Sequence, residues 1–353
     1  MKIVFHSYYD KYNDDNLLFK KSNAEIGDDL LSPFLSIAEK AKEKEIFVCT
    51  SFNIQFNEID AIVFVELPKQ SDPFYIESVK SGKPLFLITL ESPIIMPENY
   101  MISNHSKFKK VFTWSDELLG TNDNKYIKIN YSFNFPINIP FSLKESKKLM
   151  TLISGNKNSN FSNELYSSRK NVINYMEKNH PEEFDFYGLG WDFFVLGNSL
   201  LERVVNKLKI PLKIFNKQYR TYKGSVLRKN AVLKKYSFSL CYENVKDIPG
   251  YITEKIFDSF FAGCVPIYLG ADNIDKYIPN DCFIDRRDFD SFEDVYLYIK
   301  SMSEQDYQKY LTNIQKFIDS KIDNQFSNNN FSNTLLKGIL DEIITVNNSY
   351  DRE

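Results

Sequence analysis

The densest group of residues that can do chemistry lies between Tyr242 and Gly270. Thr253 can cap a helix there, and Glu254 and Lys255 fall in the first turn of that helix. A glutamate suits the positive end of a helix, whereas the helix dipole disfavours a lysine. The lysine is explained if it binds an anion together with the backbone N–H groups, or if it simply extends into solvent. Glu254 either compensates the dipole or accepts hydrogen bonds from the hydroxyls of a ribose.

Two carboxylates follow apolar runs in the first half of the chain. Glu91 comes directly after the run Pro84–Leu90, and Glu66 follows Ile59–Val65 and precedes Pro68. Ligands of parallel α/β sheets bind at the carboxyl ends of strands, where a carboxylate can serve as a general base. The residues alone favour the alternative, in which Glu91 is a solvated residue at the end of a strand. Glu66 is the second candidate for the base.

Other reactive residues form weaker patterns. His6, His105 and His180 are too far apart in sequence to indicate a metal site, and the four cysteines show no CxxC spacing. We therefore predict buried free thiols and no bound metal. His6 ends the first strand and Trp114 follows a later one, so both are candidates for contact with a ligand. Neither a GxGxxG nor a P-loop motif occurs.

Composition limits the class of protein. The chain has 353 residues, a net charge of -3, 43% hydrophobic and 26% charged residues, which predicts a globular protein of about two domains. The weak negative charge argues against binding to nucleic acid through bulk charge. No apolar run approaches the roughly 20 residues of a membrane-spanning helix. No secretory signal is recognisable at the N-terminus, so the sequence predicts a cytoplasmic protein with at most peripheral contact with a membrane.

Strand and helix patterns alternate twice along the chain. Residues 1–140 and 149–326 each carry short apolar strands between helical stretches, the pattern of a parallel sheet covered on both faces. Pro136 and Pro140 interrupt this pattern and mark the boundary between two domains. Residues 327–353 read as an Asn/Ser-rich linker followed by an amphipathic helix. The fold class is α/β, and the arrangement suggests a ligand-binding cleft between the domains.

Four short motifs resemble the α-1,3/4-fucosyltransferases of glycosyltransferase family 10. They are Lys235-Tyr-Ser-Phe238, Tyr242-Glu-Asn244, Tyr251-Ile-Thr-Glu-Lys255 and Pro266-Ile-Tyr-Leu-Gly270. The resemblance is specific over about Tyr219 to Phe289 and weak before it, where Leu90-Glu-Ser-Pro93 is the main match. It implies a GT-B fold, in which two Rossmann-like domains face each other across a cleft. Residues 1–140 would bind the acceptor and residues 149–326 the nucleotide sugar.

The resemblance also implies an activity and roles for individual residues. The activity is inverting transfer of fucose from GDP-fucose to a hydroxyl of a glycan, with α-1,3 linkage to N-acetylglucosamine or a similar sugar. No cofactor or metal is implied. Lys255 and Arg169 would hold the diphosphate, and Glu91 would be the general base. Asn244 and Tyr251 would line the donor pocket, Glu254 would bind the ribose, and Trp114 and His6 are the candidates for acceptor contact.

Two alternatives stay open at this point. The same fold and mechanism can use a different nucleotide-sugar donor, because the loop Val245–Pro249 differs from the glycine-rich loop of the family. A protein of another class would bind carbohydrate without catalysis. The acceptor glycan, the source and the oligomeric state are not encoded in any recognisable pattern.

Overall fold

A computed structural model describes residues 1–20, 28–122, 124–193, 207, 219–319 and 324–350 of the chain. The chain divides into two compact units. Unit 1 comprises Met1–Asn134 together with Lys321–Glu353, and unit 2 comprises Phe135–Ser320.

Unit 1 contains a six-stranded sheet in the order β2-β1-β3-β4-β5-β6, in which every neighbouring pair is parallel. Its strands are β1 (Lys2–Ser7), β2 (Phe47–Thr50), β3 (Ala61–Val65), β4 (Leu85–Thr89), β5 (Lys110–Thr113) and β6 (Tyr126–Lys128). The chain moves outward from β1 to β2 and then returns to the other side of β1 with β3. The topological switch point, where ligands of such sheets bind, is therefore between β1 and β3.

The helices of unit 1 cover both faces of this sheet. They are α1 (Leu17–Lys20), α2 (Ser32–Glu43), α3 (Pro73–Lys80), α4 (Asp116–Leu119) and α10 (Asn328–Tyr350). Side chains alternate along a strand, so Ile3 and Phe5 pack with α2 and α10, while Val4 packs with α3. The fully buried strands β3 and β4 explain the continuous apolar runs in the sequence.

Unit 2 contains a five-stranded parallel sheet in the order β11-β10-β9-β7-β8. Its strands are β7 (Lys148–Ile153), β8 (Phe184–Tyr187), β9 (Tyr236–Tyr242), β10 (Val265–Leu269) and β11 (Ile284–Asp285). Its described helices are α5 (Tyr166–Asn179), α6 (Lys229–Leu233), α7 (Glu254–Phe261), α8 (Phe292–Ser301) and α9 (Glu304–Asp319). The switch point of this sheet lies between β7 and β9.

The expected alternation of strands and helices is confirmed in both units, with one difference at the C-terminus. The stretch 327–333, predicted as a linker, is largely helical, because α10 begins at Asn328. This helix packs against α2: the Ser36 hydroxyl lies 3.0 Å from the Ser332 hydroxyl. The C-terminal residues therefore complete unit 1 and are not a separate appendage.

Two further sequence predictions can be compared with the structure. All four cysteines are buried free thiols, as predicted. Within the described part of the chain, none of the helices has the length and apolar character needed to cross a bilayer.

Candidate active site

Arg169 spans the switch point of the unit 2 sheet. It lies on α5, and its side chain points inward, so that the residue is only 4% exposed. One terminal nitrogen donates to the Ser154 hydroxyl at 3.0 Å, beyond the end of β7. The other donates to the carbonyls of Tyr242 and Glu243, each at 2.6 Å, at the end of β9. Arg169 therefore ties together the two strand ends between which a ligand of this fold class would bind.

A buried carboxylate organises the start of α7. Glu243 is fully buried and accepts hydrogen bonds from the Thr253 backbone N–H at 2.9 Å and the Thr253 hydroxyl at 2.7 Å. Thr253 is thus the N-cap residue, as predicted, but its hydroxyl bonds to Glu243 and not to the helix backbone. Gly270 makes this packing possible, because a Cβ there would lie 2.5 Å from Glu243 Cγ.

Lys255 is positioned by the same carboxylate. Its Nζ lies 3.0 Å from a Glu243 carboxylate oxygen and 2.9 Å from the Thr253 hydroxyl. Its side chain keeps 20% of its surface accessible, whereas Glu243 is fully buried. A buried partner fixes the ammonium group while one side of it remains open to solvent. This combination leaves Lys255 able to bind an anion without moving far.

Glu254 is held between two lysines. Lys229, on α6, donates to Glu254 at 3.2 Å and to Asp258 at 2.8 Å, and Lys255 Nζ lies 3.7 Å from Glu254. Burial by itself raises the pKa of Glu254, but the two lysines outweigh it and hold that pKa well below its usual range. The paired carboxylates likewise raise the pKa of Lys229. Glu254 is therefore an ionised acceptor of hydrogen bonds at neutral pH.

Asn244 and Tyr251 lie at the same edge of the sheet. The Asn244 side-chain oxygen accepts from Arg169 at 3.1 Å, and its amide nitrogen donates to the Tyr251 hydroxyl at 3.4 Å. Tyr251 is 2% exposed. The structure thus brings together all five residues predicted to bind the donor, although four of them are separated from Arg169 by more than 70 positions in the sequence.

A hollow of about 480 Å³ opens beside α5 in unit 2. Two basic side chains on its wall are paired with carboxylates: Arg287 with Asp285 at 2.6 Å, and Lys246 with Asp247 at 2.8 Å. No local sequence pattern indicates this hollow, because its lining comes from α5, β9, β10 and the segment before α8.

The switch point of the unit 1 sheet brings the two candidate bases together. Glu66 follows β3 and Glu91 lies two residues beyond β4. The Glu66 carboxylate accepts hydrogen bonds from the Leu90 backbone N–H at 3.1 Å and from the Glu91 backbone N–H at 3.0 Å. Glu91 and Glu66, the first and second candidates for the base, are thus direct neighbours in space. Their separation of 25 positions in the sequence gave no indication of this contact.

Glu91 is held from several directions, yet its carboxylate remains partly exposed. The Tyr9 hydroxyl donates to a Glu91 carboxylate oxygen at 3.1 Å, and the Tyr100 hydroxyl donates to the Glu91 carbonyl at 2.6 Å. Burial and the nearby Glu91 charge raise the pKa of Tyr9, which keeps its hydroxyl a donor at neutral pH. No sequence pattern singled out Tyr9, although its place two residues beyond β1 was the available signal.

Glu66 differs from Glu91 in burial and in backbone conformation. It is 3% exposed, and its φ of +67° lies in the left-handed region that residues with a Cβ rarely adopt. Burial and then the charge of Glu91 raise its pKa to about 8. The Glu66 carboxyl group therefore holds a proton at neutral pH. Glu91 is more exposed than Glu66 and lines the adjoining cavity.

That cavity has a volume of about 300 Å³ and lies entirely within unit 1. Glu66, Glu91 and Tyr9 form part of its wall, and Asn130 contributes a buried amide. Most of the remaining wall is apolar, supplied by the α1 and α2 region, β3 and α10.

The two residues predicted to contact the acceptor do not face this cavity. Trp114 is 0% exposed, and its indole N–H donates to the Leu90 carbonyl at 2.8 Å, so it supports the segment before Glu91 from within the core. His6 is 3% exposed, stacks on Phe74 and lies 2.7 Å from the Ser51 hydroxyl. His6 belongs to the opposite face of the sheet because side chains alternate along β1. Neither ring offers a surface on which a sugar can stack in this structure.

Within the described residues, no three His, Cys, Asp or Glu side chains come together as metal ligands would. The absence of a metal requirement stays a prediction.

The two doubly wound parallel sheets define the GT-B class of glycosyltransferase folds. Solved structures with this fold include an α1,3-fucosyltransferase with GDP-fucose, matched with a TM-score of 0.55 and 16% identity over 97% of this chain and 90% of that one. The Anabaena protein HepE in complex with UDP and glucose matches with a TM-score of 0.57 and 11% identity, over 97% of this chain and 100% of HepE. Identities this low establish the fold alone.

Sequence similarity identifies the more particular relationship. The model of the glycosyltransferase family 10 (fucosyltransferase) C-terminal region matches residues 197–334. The α-(1,3)-fucosyltransferase FucT of Helicobacter pylori is 31% identical over 151 residues, which are 39% of this chain and 31% of FucT. An α-(1,4)-fucosyltransferase of Arabidopsis thaliana is 33% identical over 75 residues, 21% of this chain and 18% of that protein. The chain thus resembles family 10, and it spans about a third or less of the length of these curated relatives.

Proposed function

We propose that the protein is an inverting fucosyltransferase that transfers fucose from GDP-fucose to a hydroxyl group of an acceptor glycan. The observation that carries this proposal is the arrangement at the start of α7. There, residues of the family 10 match, Asn244 to Lys255, lie around the N-terminus of a helix that follows β9, and a helix N-terminus is a favourable place for an anion. No metal is needed for the proposed chemistry if fixed cations balance the charge of the leaving diphosphate.

Lys255 is the cation that we assign to direct contact with the diphosphate. The buried Glu243 fixes its ammonium group at 3.0 Å, and the helix N-terminus adds its partial positive charge. Negative charge accumulates on the diphosphate as the bond to the sugar breaks, and a preorganised ammonium stabilises that charge without reorganisation. Glu254, ionised and accessible to 24%, would accept the ribose hydroxyls.

Arg169 is the second cation that we propose to stabilise the diphosphate. Because it is buried, it acts without the direct contact that we assign to Lys255. Its terminal nitrogens donate hydrogen bonds to Ser154 and to the carbonyls at the end of β9. Its charge therefore acts from within the protein, beneath the strand ends where we place the diphosphate. We propose that it stabilises the diphosphate through this buried charge and through Ser154 and Asn244, which it orients.

Glu91 is the proposed general base. Its carboxylate is oriented by Tyr9 and is more exposed than that of Glu66. In the proposed step Glu91 accepts the proton of the acceptor hydroxyl, and the hydroxyl oxygen forms a bond to the anomeric carbon of fucose. The bond between that carbon and the diphosphate oxygen breaks, GDP leaves with the bonding electrons, and the configuration at the anomeric carbon is inverted.

The test combines binding with transfer. Stabilisation of the protein by GDP and GDP-fucose in EDTA, measured by thermal shift, supports the donor assignment. Stabilisation by UDP or UDP-glucose instead would favour the alternative donor. Release of GDP only when an acceptor glycan is present, with inversion observed by NMR of the product, supports the reaction. GDP-fucose binding without transfer to any acceptor of a broad glycan panel would favour a non-catalytic carbohydrate-binding protein.

Glu91→Gln separates catalysis from binding. General-base catalysis contributes about 10²–10⁴-fold, so we expect the transfer rate to fall within that range while GDP binding is retained. Glu98→Gln is the matched control, because Glu98 is an exposed carboxylate in the same unit. Transfer by Glu91→Gln at the rate of the control would refute the assignment of the base.

A further inference from the structure

The cavity beside Glu91 has an apolar part of its wall that a sugar alone does not match. Sugars present hydroxyl groups on most of their surface, and a site that binds only sugar must supply many hydrogen-bonding partners. Here part of the wall consists of hydrocarbon side chains that are almost completely packed into the core. They are Leu18, Leu31, Phe34, Val65 and Phe331, each at most 7% exposed.

The wall also carries polar side chains, among them Ser7, Lys11, Tyr12, Tyr131 and Ser132. Glu66 and Glu91 stand at the strand ends, and Tyr9 donates to Glu91. Asn130 is 3% exposed, and its side-chain oxygen has no hydrogen-bond partner among the described residues, although its amide nitrogen donates to Gln325 at 3.2 Å. A buried acceptor without a partner is unfavourable, and a bound hydroxyl or N–H group would supply the missing hydrogen bond.

We infer that this cavity binds an acceptor in which the reacting sugar is joined to an apolar group, as in a glycoside with a hydrocarbon aglycone. The inference rests on the proposed transfer reaction and names the class of acceptor for it. The sugar hydroxyl lies at Glu91, a second polar group donates to Asn130, and the hydrocarbon portion contacts the leucine and phenylalanine wall. A volume of about 300 Å³ is at the small end of ligand pockets and fits a short apolar group.

Alkyl glycosides of one sugar test this inference directly. Each buried methylene group is worth about 0.8 kcal/mol, which corresponds to roughly a four-fold change in affinity. We expect KM to fall at least ten-fold from the methyl to the butyl glycoside of the same sugar, with kcat changed little. The panel comprises methyl and butyl glycosides of N-acetylglucosamine, galactose and N-acetyllactosamine, with GDP release as the readout.

Leu30→Gln tests whether the gain arises in the cavity. Leu30 is partly exposed on the cavity wall, so its replacement is compatible with folding, which a thermal melt verifies. The variant should lose most of the preference for butyl over methyl while it retains transfer to the methyl glycoside. Leu143→Gln is the matched control, because Leu143 is a 61% exposed leucine of unit 2.

The outcomes separate this inference from the proposed function. Equal KM values for methyl and butyl glycosides, or a butyl preference unchanged in Leu30→Gln, would overturn the inference and leave the transferase proposal intact. Failure of every glycoside, together with no stabilisation by GDP-fucose, would overturn both.

Discussion

The buried carboxyl group of Glu66 gives the protein a stability that depends on pH. The ordinary pKa of this group is 4.5, and burial followed by the Glu91 charge raises it to about 8 in the folded protein. Between these values the folded state holds a proton that the unfolded chain releases. Stability therefore falls as pH rises, by about 1.4 kcal/mol per pH unit, and the full difference corresponds to roughly 5 kcal/mol.

Glu66→Gln removes this titration and keeps a side chain of nearly the same shape. From pH 5.5 to pH 7.5 the wild type should lose about 3 kcal/mol relative to the variant, because two pH units lie within the sensitive range. Comparing the two proteins at each pH cancels the titration of groups that they share. Of the groups that shift the pKa of Glu66, Glu91 is the charged one, and its titration is the one that the substitution itself affects.

Unfolding in urea should be followed in a Trp191→Phe background, so that Trp114, the other tryptophan of the chain, reports on unit 1. Glu77→Gln, at an exposed position on α3 in the same unit, is the control and should show no comparable dependence. A difference between Glu66→Gln and wild type that is constant over this pH range, or that changes in the opposite direction, would refute the conclusion that Glu66 is protonated at neutral pH.

Three further substitutions test the unit 2 site. Lys255→Ala should weaken GDP binding at least ten-fold by calorimetry, whereas Lys246→Ala, which removes a 40% exposed lysine, should leave it nearly unchanged; equal affinities would contradict the assignment of Lys255. Arg169→Lys should lower the free energy of unfolding by about 2–4 kcal/mol in urea titrations, because one ammonium group cannot replace bonds to both strand ends. Gly188→Ala should be at least as destabilising in the same urea titration, since φ is +144° and the new Cβ would lie 1.9 Å from the Ser154 carbonyl oxygen. A urea transition like that of the wild type would show that the backbone relaxes easily.

The position of Arg169 shows where inference from motifs reaches its limit. The family resemblance implied that Arg169 holds the diphosphate, and the structure places this residue on α5. The resemblance did not indicate that the guanidinium group would be buried beneath the strand ends. The direction of the Arg169 side chain depends on the carbonyls at the end of β9, the strand beside β7 in the sheet. This strand lies more than 60 residues further along the chain.

Lys229 illustrates a partner that no local pattern predicted. It lies 25 residues before Glu254, yet its ammonium group acts with that of Lys255 to keep Glu254 ionised. The side-chain spacing of α7 was readable because helical contacts recur every three or four residues. The contact between α6 and α7 depends on the packing of two separate helices and has no comparable periodicity.

The sequence by itself determined the alternation of strands and helices, the start of α7 and the positions of Glu66 and Glu91 at strand ends. These features follow from local rules, namely hydrophobic periodicity, capping residues and proline positions. Only the tertiary structure decided that the two carboxyl groups meet at the β1/β3 switch point and that Trp114 and His6 turn away from the cavity. It also decided that α10 joins unit 1. These outcomes depend on strand order and on the face to which each side chain points, and both are set by contacts between distant parts of the chain.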